Sequence, residues 1–217
     1  MGTEFRVNSY QSNWQDESHV LALRDGGFLV TWSSYFNEYD DTDLRTNYVA
    51  AQFYDANAMP VGGETILRAI EEGSSDAPRA TQLKNGNIVV TWSEATNDPI
   101  LTNDTYIAAR IFDTSGQAVS DVIYVDTVKS NDAVYPEVVA TGSGGFVVSF
   151  GAETGRKNFD EVYYRSYDAD GQALGKDKVL NTRSNDFDEL VHQGRRTEQW
   201  QQRHHLEFGG RDQRRHQ

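Results

Sequence analysis

Thirty-three aspartates and glutamates, five histidines and no cysteine limit the chemistry open to this chain of 217 residues. Without a thiol there is no disulfide framework, no cysteine nucleophile and no thiolate metal site. Carboxylates remain, and they can hold a hard cation or act as acid and base. The densest group is Glu38, Asp40, Asp41 and Asp43. Asp40, Asp41 and Asp43 are the candidate metal ligands, with Ca2+ the ion their oxygen chemistry suits. The matching segments around Asp98 and Asp104, and around Asp160 and Glu161, do not line up with them, which favours a solvated loop. Asp168-Ala169-Asp170-Gly171 offers two or three oxygens of a calcium loop that needs about six or more. Its counterparts carry Asn57 and Ser115, so turn chemistry explains it better. Glycoside hydrolysis requires two carboxyl groups about 5–10 Å apart, and among so many acids the sequence selects no pair. His19 has no nucleophile elbow or metal motif beside it and is expected to face solvent at the start of a strand. No catalytic residue and no cofactor is assigned.

Those residues must be positioned by a repeat. Arg24-Asp25-Gly26-Gly27-Phe28-Leu29-Val30-Thr31-Trp32-Ser33 recurs as Lys84-Asn85-Gly86-Asn87-Ile88-Val89-Val90-Thr91-Trp92-Ser93. A looser copy runs from Ser143 to Phe150, so that Trp32, Trp92 and Phe150 are spaced by 60 and 58. A second marker ends in Asp55, Asp113 and Asp168, spaced by 58 and 55. Two markers keeping one period define a unit of roughly 58 residues.

Each unit reads as four strands. The first covers His19 to Leu23, Arg79 to Leu83 and Glu137 to Thr141. An Asp-Gly, Asn-Gly or Gly-Gly turn leads into the second, where Phe28, Val30 and Trp32 alternate with Leu29 and Thr31. Both faces of that strand are apolar or small, as for a strand packed between two sheets. The third strand runs Tyr48 to Tyr54, Tyr106 to Phe112 and Val162 to Tyr167; the fourth covers Glu64 to Arg68, Val122 to Asp126 and Asp177 to Asn181. Glu4 to Asn8 matches the fourth strand, so the chain is expected to open on the end of a preceding unit. No helix is signalled before residue 185. Four strands in this length suit a β-propeller blade and are too few for an immunoglobulin-type sandwich of about 100 residues. The fold class is therefore all-β, tandem four-stranded repeats of an incomplete β-propeller, with an irregular C-terminal tail. Units are drawn at about 2–61, 62–119 and 120–174, with a fourth starting at 175. Propellers close with about 4–8 blades, so the remaining repeats of a longer chain are needed to close the fold.

Net charge is −13, unevenly spread. Residues 191–217 hold six arginines against Glu198, Glu207 and Asp212, leaving −16 on the rest. Such a surface repels phosphate backbones, so nucleic acid is excluded as a partner. No apolar run is long enough to span a membrane, and no signal peptide is recognised in this segment. The tail has four of the five histidines and no periodicity. Codons for Thr197 to Glu207, read one nucleotide later, allow Leu-Ser-Asn-Gly-Asn-Asn-Val-Ile-Thr-Trp-Ser, which parallels Leu83 to Ser93. The shifted tryptophan falls at Leu206, 56 positions after Phe150. We hypothesise a fourth unit scrambled by a single-nucleotide slip near residues 186–192; a fixed stop codon in the shifted frame would exclude it.

The run Gly2-Thr3-Glu4-Phe5-Arg6-Val7-Asn8, then Asp25-Gly26-Gly27-Phe28 to Trp32, then Tyr167-Asp168-Ala169-Asp170-Gly171 resembles repeats of large secreted bacterial proteins. These belong to the haemolysin-type calcium-binding (RTX) group. The resemblance covers residues 2 to about 185 and implies type I export, an extracellular or surface location and an adhesin-like role. The glycine-aspartate nonapeptides that bind calcium in that group are absent, so calcium binding is not carried over. The expected function is a non-catalytic binding or structural module of a secreted protein, with a carbohydrate or surface polymer as partner and no membrane insertion. Gln52, Arg110 and Arg165 share one strand position and are the candidate ligand-binding stripe. The alternative is a fragment of a propeller-type glycan-processing enzyme.

Overall fold

The computed structural model describes residues 4–9, 14–35, 47–70, 73–96, 105–127, 133–153 and 160–180. Among these residues twelve strands form three four-stranded antiparallel sheets, each made of consecutive strands. The first sheet holds β1 (Trp14–Ala22), β2 (Phe28–Tyr35), β3 (Asn47–Tyr54) and β4 (Pro60–Ile70). The second holds β5 (Gly73–Gln82), β6 (Ile88–Thr96), β7 (Thr105–Phe112) and β8 (Ile123–Tyr124). The third holds β9 (Ala133–Ala140), β10 (Phe146–Glu153), β11 (Asp160–Tyr167) and β12 (Lys178–Val179). Each is a propeller blade, and together they are part of a β-propeller. Each sheet includes its own fourth strand, ending at Ile70, Tyr124 and Val179, so the blades end later than units cut at 61, 119 and 174. A periodic chain can be divided at any phase, and the hydrogen bonds choose this one.

The strand alternation becomes the packing between blades. Leu29, Val49, Ala51 and Phe53 leave the first sheet on one side and meet Ile88, Val90, Trp92 and Phe112 of the second. Val89, Ile107, Ala109 and Ile111 leave the other face of the second sheet and meet Phe146, Val148 and Phe150. Trp92 and Phe150 are 0% and 1% exposed, so the marker residues of the repeat are core anchors. Burying an aromatic ring of this size contributes about 2–3 kcal/mol. Val30 and Trp32 face the opposite way, in a cluster that Val7 and Phe28 join. Glu4 to Asn8 forms no strand, although Phe5 does pack on Tyr54 with ring centroids 5.5 Å apart.

Turns follow the sequence closely. Gly26, Gly86 and Gly144 sit at φ +89°, +96° and +103°, where a side chain would be strained. At the other hairpin a carboxylate closes the loop: Asp168 Oδ1 accepts from the amides of Asp170 (3.0 Å) and Gln172 (2.8 Å). Asp55 and Asp113 repeat this with Asn57 and Met59, and with Ser115 and Gln117. Those hydrogen bonds hold the Asp55 carboxyl below the usual range, the Met59 amide first.

Adjacent blades are also stapled at repeated positions. Arg24 donates to the Lys84 carbonyl (3.0 Å), and Lys84 Nζ in turn donates to the carbonyl of its own counterpart, Gly142 (2.7 Å). Ser9 gives its amide (2.8 Å) and hydroxyl (2.7 Å) to Glu64. Thr127, the equivalent residue two units later, gives both to Asp177. Among the described residues no helix is long and apolar enough to cross a membrane.

Candidate functional site

The first strand of every blade breaks its register at one place. Glu17, Ala77 and Tyr135 have φ of +52°, +51° and +56°, and the ladder shifts between Asp16 and His19 and between Asp76 and Arg79. A bulge of this kind re-aims the side chains around it. Asp16 lies opposite Ser33 and Asp76 opposite Ser93, so the two aspartates hold the same station on neighbouring blades. The third blade has Val134 there, opposite Gly151. Glu17 reaches across, and its carboxylate accepts the amide of Ala77. That bond ties one bulge to the next and fixes the relation of Asp16 to Asp76.

The electrostatics differentiate the acids. Asp76 is pushed up to about 7, first by burial, then by Glu17 and Asp16, with the Ser93 hydroxyl pulling the other way. Asp16 is raised by burial and by Glu17. Tyr35 is raised as well, by burial and then by Asp76, Glu17 and Asp16, which brings a phenol into the same field. A carboxyl group held near neutrality, as Asp76 is, suits general acid-base catalysis.

A second row follows on the same strands. His19, Arg79 and Glu137 pair with Thr31, Thr91 and Ser149, again one station on three blades. Arg79 Nε bonds Glu137 Oε1 at 3.1 Å, and a second guanidinium nitrogen donates to the Pro78 carbonyl at 2.9 Å. His19 does not face solvent as expected from sequence. It is partly buried, its Nδ1 has no hydrogen-bond partner among the described residues, and burial followed by Arg79 lowers its pKa.

Gln52, Arg110 and Arg165 do share one position, opposite Val30, Val90 and Val148. Their donors, however, go to backbone carbonyls of the following hairpin or strand: Val61 (3.3 Å), Ser120 (2.9 Å) and Gly175 (3.1 Å). These bonds brace the outer strand. Asp40, Asp41 and Asp43 lie outside the described residues, as do the tail from 191 to 217 and its proposed frame slip. Sequence reasoning missed Asp16, Glu17 and Asp76. The spacing of 60 between the two aspartates was visible, and Pro78 and Pro136 mark the bulge in two units.

No protein-family model matches the chain, and no curated protein matches its sequence. Solved structures do match its shape. A thermostable family-43 glycoside hydrolase aligns with TM-score 0.53 and 11% identity over 79% of this chain and 61% of its own. The endo-arabinase from Bacteroides thetaiotaomicron gives 0.53 and 14%, over 76% of this chain and 60% of that one. A protein of unknown function from Dyadobacter fermentans gives 0.56 and 10%, over 78% and 55%. The chain shares their propeller-type fold. It spans about three-fifths of their length. Two expectations are thereby corrected. The sequence pointed to a non-catalytic module and away from an enzyme, whereas glycoside hydrolases recur among the solved structures of this fold.

Proposed function

We propose that this chain is part of a glycan-processing propeller that cleaves glycosidic bonds with Asp76 as general acid and Asp16 as its ionised partner. The observation that carries the reading is the matched station of the two aspartates on adjacent bulges, with Asp76 pushed up to about 7. Asp76 would protonate the departing glycosidic oxygen. Asp16 would activate water or attack the anomeric carbon, depending on the gap between the carboxyl groups. Glu17 is committed to the Ala77 amide, so it sets the spacing and leaves the chemistry to Asp16. Substrates containing arabinose are the first choice, by analogy with the endo-arabinase that shares the fold. The resemblance of the repeats to exported RTX-type proteins supports an extracellular site of action.

The test uses the protein extended by whatever blades the flanking coding DNA supplies. Release of reducing ends from arabinan, abolished by Asp76→Asn and by Asp16→Asn with both variants still folded, is the expected result. Turnover unaffected by either substitution, or none on arabinan and other neutral polysaccharides, would exclude the reading.

A further inference from the structure

We infer that Trp14 and Tyr35 form an aromatic subsite for a neutral sugar ring, set beside the Asp16–Asp76 pair. The inference rests on the glycan-processing reading and specifies what its site would hold. Trp14 lies directly opposite Tyr35 in the register of β1 and β2. Side chains two apart on a strand share a face, so Trp14 stands next to Asp16 on the side where Ser33 and Tyr35 lie opposite them. Cross-strand partners sit about 4.5–5.5 Å apart at Cβ, so the two rings border one patch.

Three observations set Trp14 apart from the other aromatic residues. Trp32 and Trp92 recur with the repeat and are buried, as packing requires, but Trp14 is 53% exposed. It also departs from the repeat: the equivalent pair in the second blade is Ser74 opposite Ala95. A position that keeps the fold with serine and alanine in one blade does not need an aromatic pair for packing in the next. Finally, its polar neighbours are acids. Asp16, Glu17 and Asp76 crowd this end of the inner strands, and the field of all three reaches Tyr35.

That setting selects the ligand. An aromatic face is electron-rich and attracts the weakly positive C–H face of a sugar, while hydroxyl groups at the ring edge reach carboxylates. An anionic sugar would meet three carboxyl groups. Arg79, the cation on the neighbouring inner strand, is already committed to Glu137 and the Pro78 carbonyl. The class is therefore a neutral furanose or pyranose within a glycan.

Binding can be measured apart from turnover, in the Asp76→Asn background, by calorimetry and tryptophan fluorescence with α-1,5-linked arabinotriose; trigalacturonate serves as the anionic control. Arabinotriose is expected to bind and trigalacturonate not to. Adding Trp14→Ala should weaken arabinotriose at least about tenfold, a difference of about 1.4 kcal/mol, with Trp14→Phe intermediate and the melting temperature unchanged. Equal binding by Trp14→Ala, stronger binding of trigalacturonate, or no binding of arabinotriose would overturn the subsite. Binding that depends on Trp14 without hydrolysis by the unsubstituted protein would uphold the subsite and overturn the hydrolase reading alone.

Discussion

Asp16 and Asp76 stand at the same register position of adjacent inner strands, each opposite a serine and each one residue before a left-handed bulge. Equivalent positions nevertheless differ in setting: Asp76 is the more deeply buried, and Glu17 and Asp16 both push its carboxyl up. The difference has a thermodynamic signature. In the unfolded chain Asp76 titrates near 4, while in the folded protein it titrates at about 7. The native state therefore binds more protons between those values, and its stability falls as pH rises through that window. Asp76→Asn removes the penalty. Urea melts should show the variant more stable than the parent by about 2–4 kcal/mol at pH 8, with little difference at pH 4. Equal stability at pH 8 would mean that the carboxyl ionises at no cost.

His19 gives a slope of the opposite sign. Its folded pKa lies below the usual 6.5, through burial and Arg79, with Glu137 opposing. Below that usual value the unfolded chain takes up the proton first, so stability is full above about pH 6.5 and declines as pH drops. Replacing His19 by Gln should flatten this decline between pH 7 and 5, read as unfolding midpoints across the range. A parallel pH profile for variant and parent would show that His19 is uncoupled from folding.

Much of the architecture was legible because propeller packing repeats it. Trp32, Trp92 and the Asp-Gly and Asn-Gly turns advertise the blades, since each must fill the same core and turn the same corner. The site was not legible, for a related reason. The candidate stations on the three blades carry different residues, His19, Arg79 and Glu137 in one row and Asp16, Asp76 and Val134 in another. A search for recurrence passes over them. The bulge itself rests on Glu17, Ala77 and Tyr135, none of which is a residue type that favours positive φ. Among the described residues the fourth strands of two blades are short, Ile123–Tyr124 and Lys178–Val179, each extended by one backbone bond, from Val125 to Ile107 and from Leu180 to Val162.

The interface between the first two blades hinges on a buried charge. Glu94 is fully buried and receives Arg68 through two bonds (2.7 and 3.0 Å), Trp92 Nε1 (2.9 Å) and the Tyr124 hydroxyl (3.3 Å). The first blade has Ser34 at this position, and there Trp32 Nε1 has no partner among the described residues. Removing one member of a buried pair leaves the other unpaired, at a loss of about 3–5 kcal/mol. Arg68→Met should therefore destabilise strongly, and Arg68→Met with Glu94→Leu should recover most of that loss. Equal melting temperatures for the single and double variants would contradict the pairing.

Asp177 tests how one blade holds the next. Its side chain is 4% exposed, lies 3.7 Å from Arg165 Nε, and accepts both the amide and the hydroxyl of Thr127 from the preceding blade. The first example of this clamp, Ser9 on Glu64, joins exposed groups. The intermediate one is missing, because the equivalent residues are Ala69 and Val122. A hydrogen bond to a charged group contributes about 1.5–3 kcal/mol when buried and less in water. Asp177→Ala should thus lower stability by about 2 kcal/mol, and Glu64→Ala by less than half of that. Hydrogen exchange would locate the effect: the Thr127 amide should lose protection in Asp177→Ala while amides of β2 and β3 keep theirs. If Glu64→Ala is as damaging as Asp177→Ala, burial is not what gives the clamp its strength.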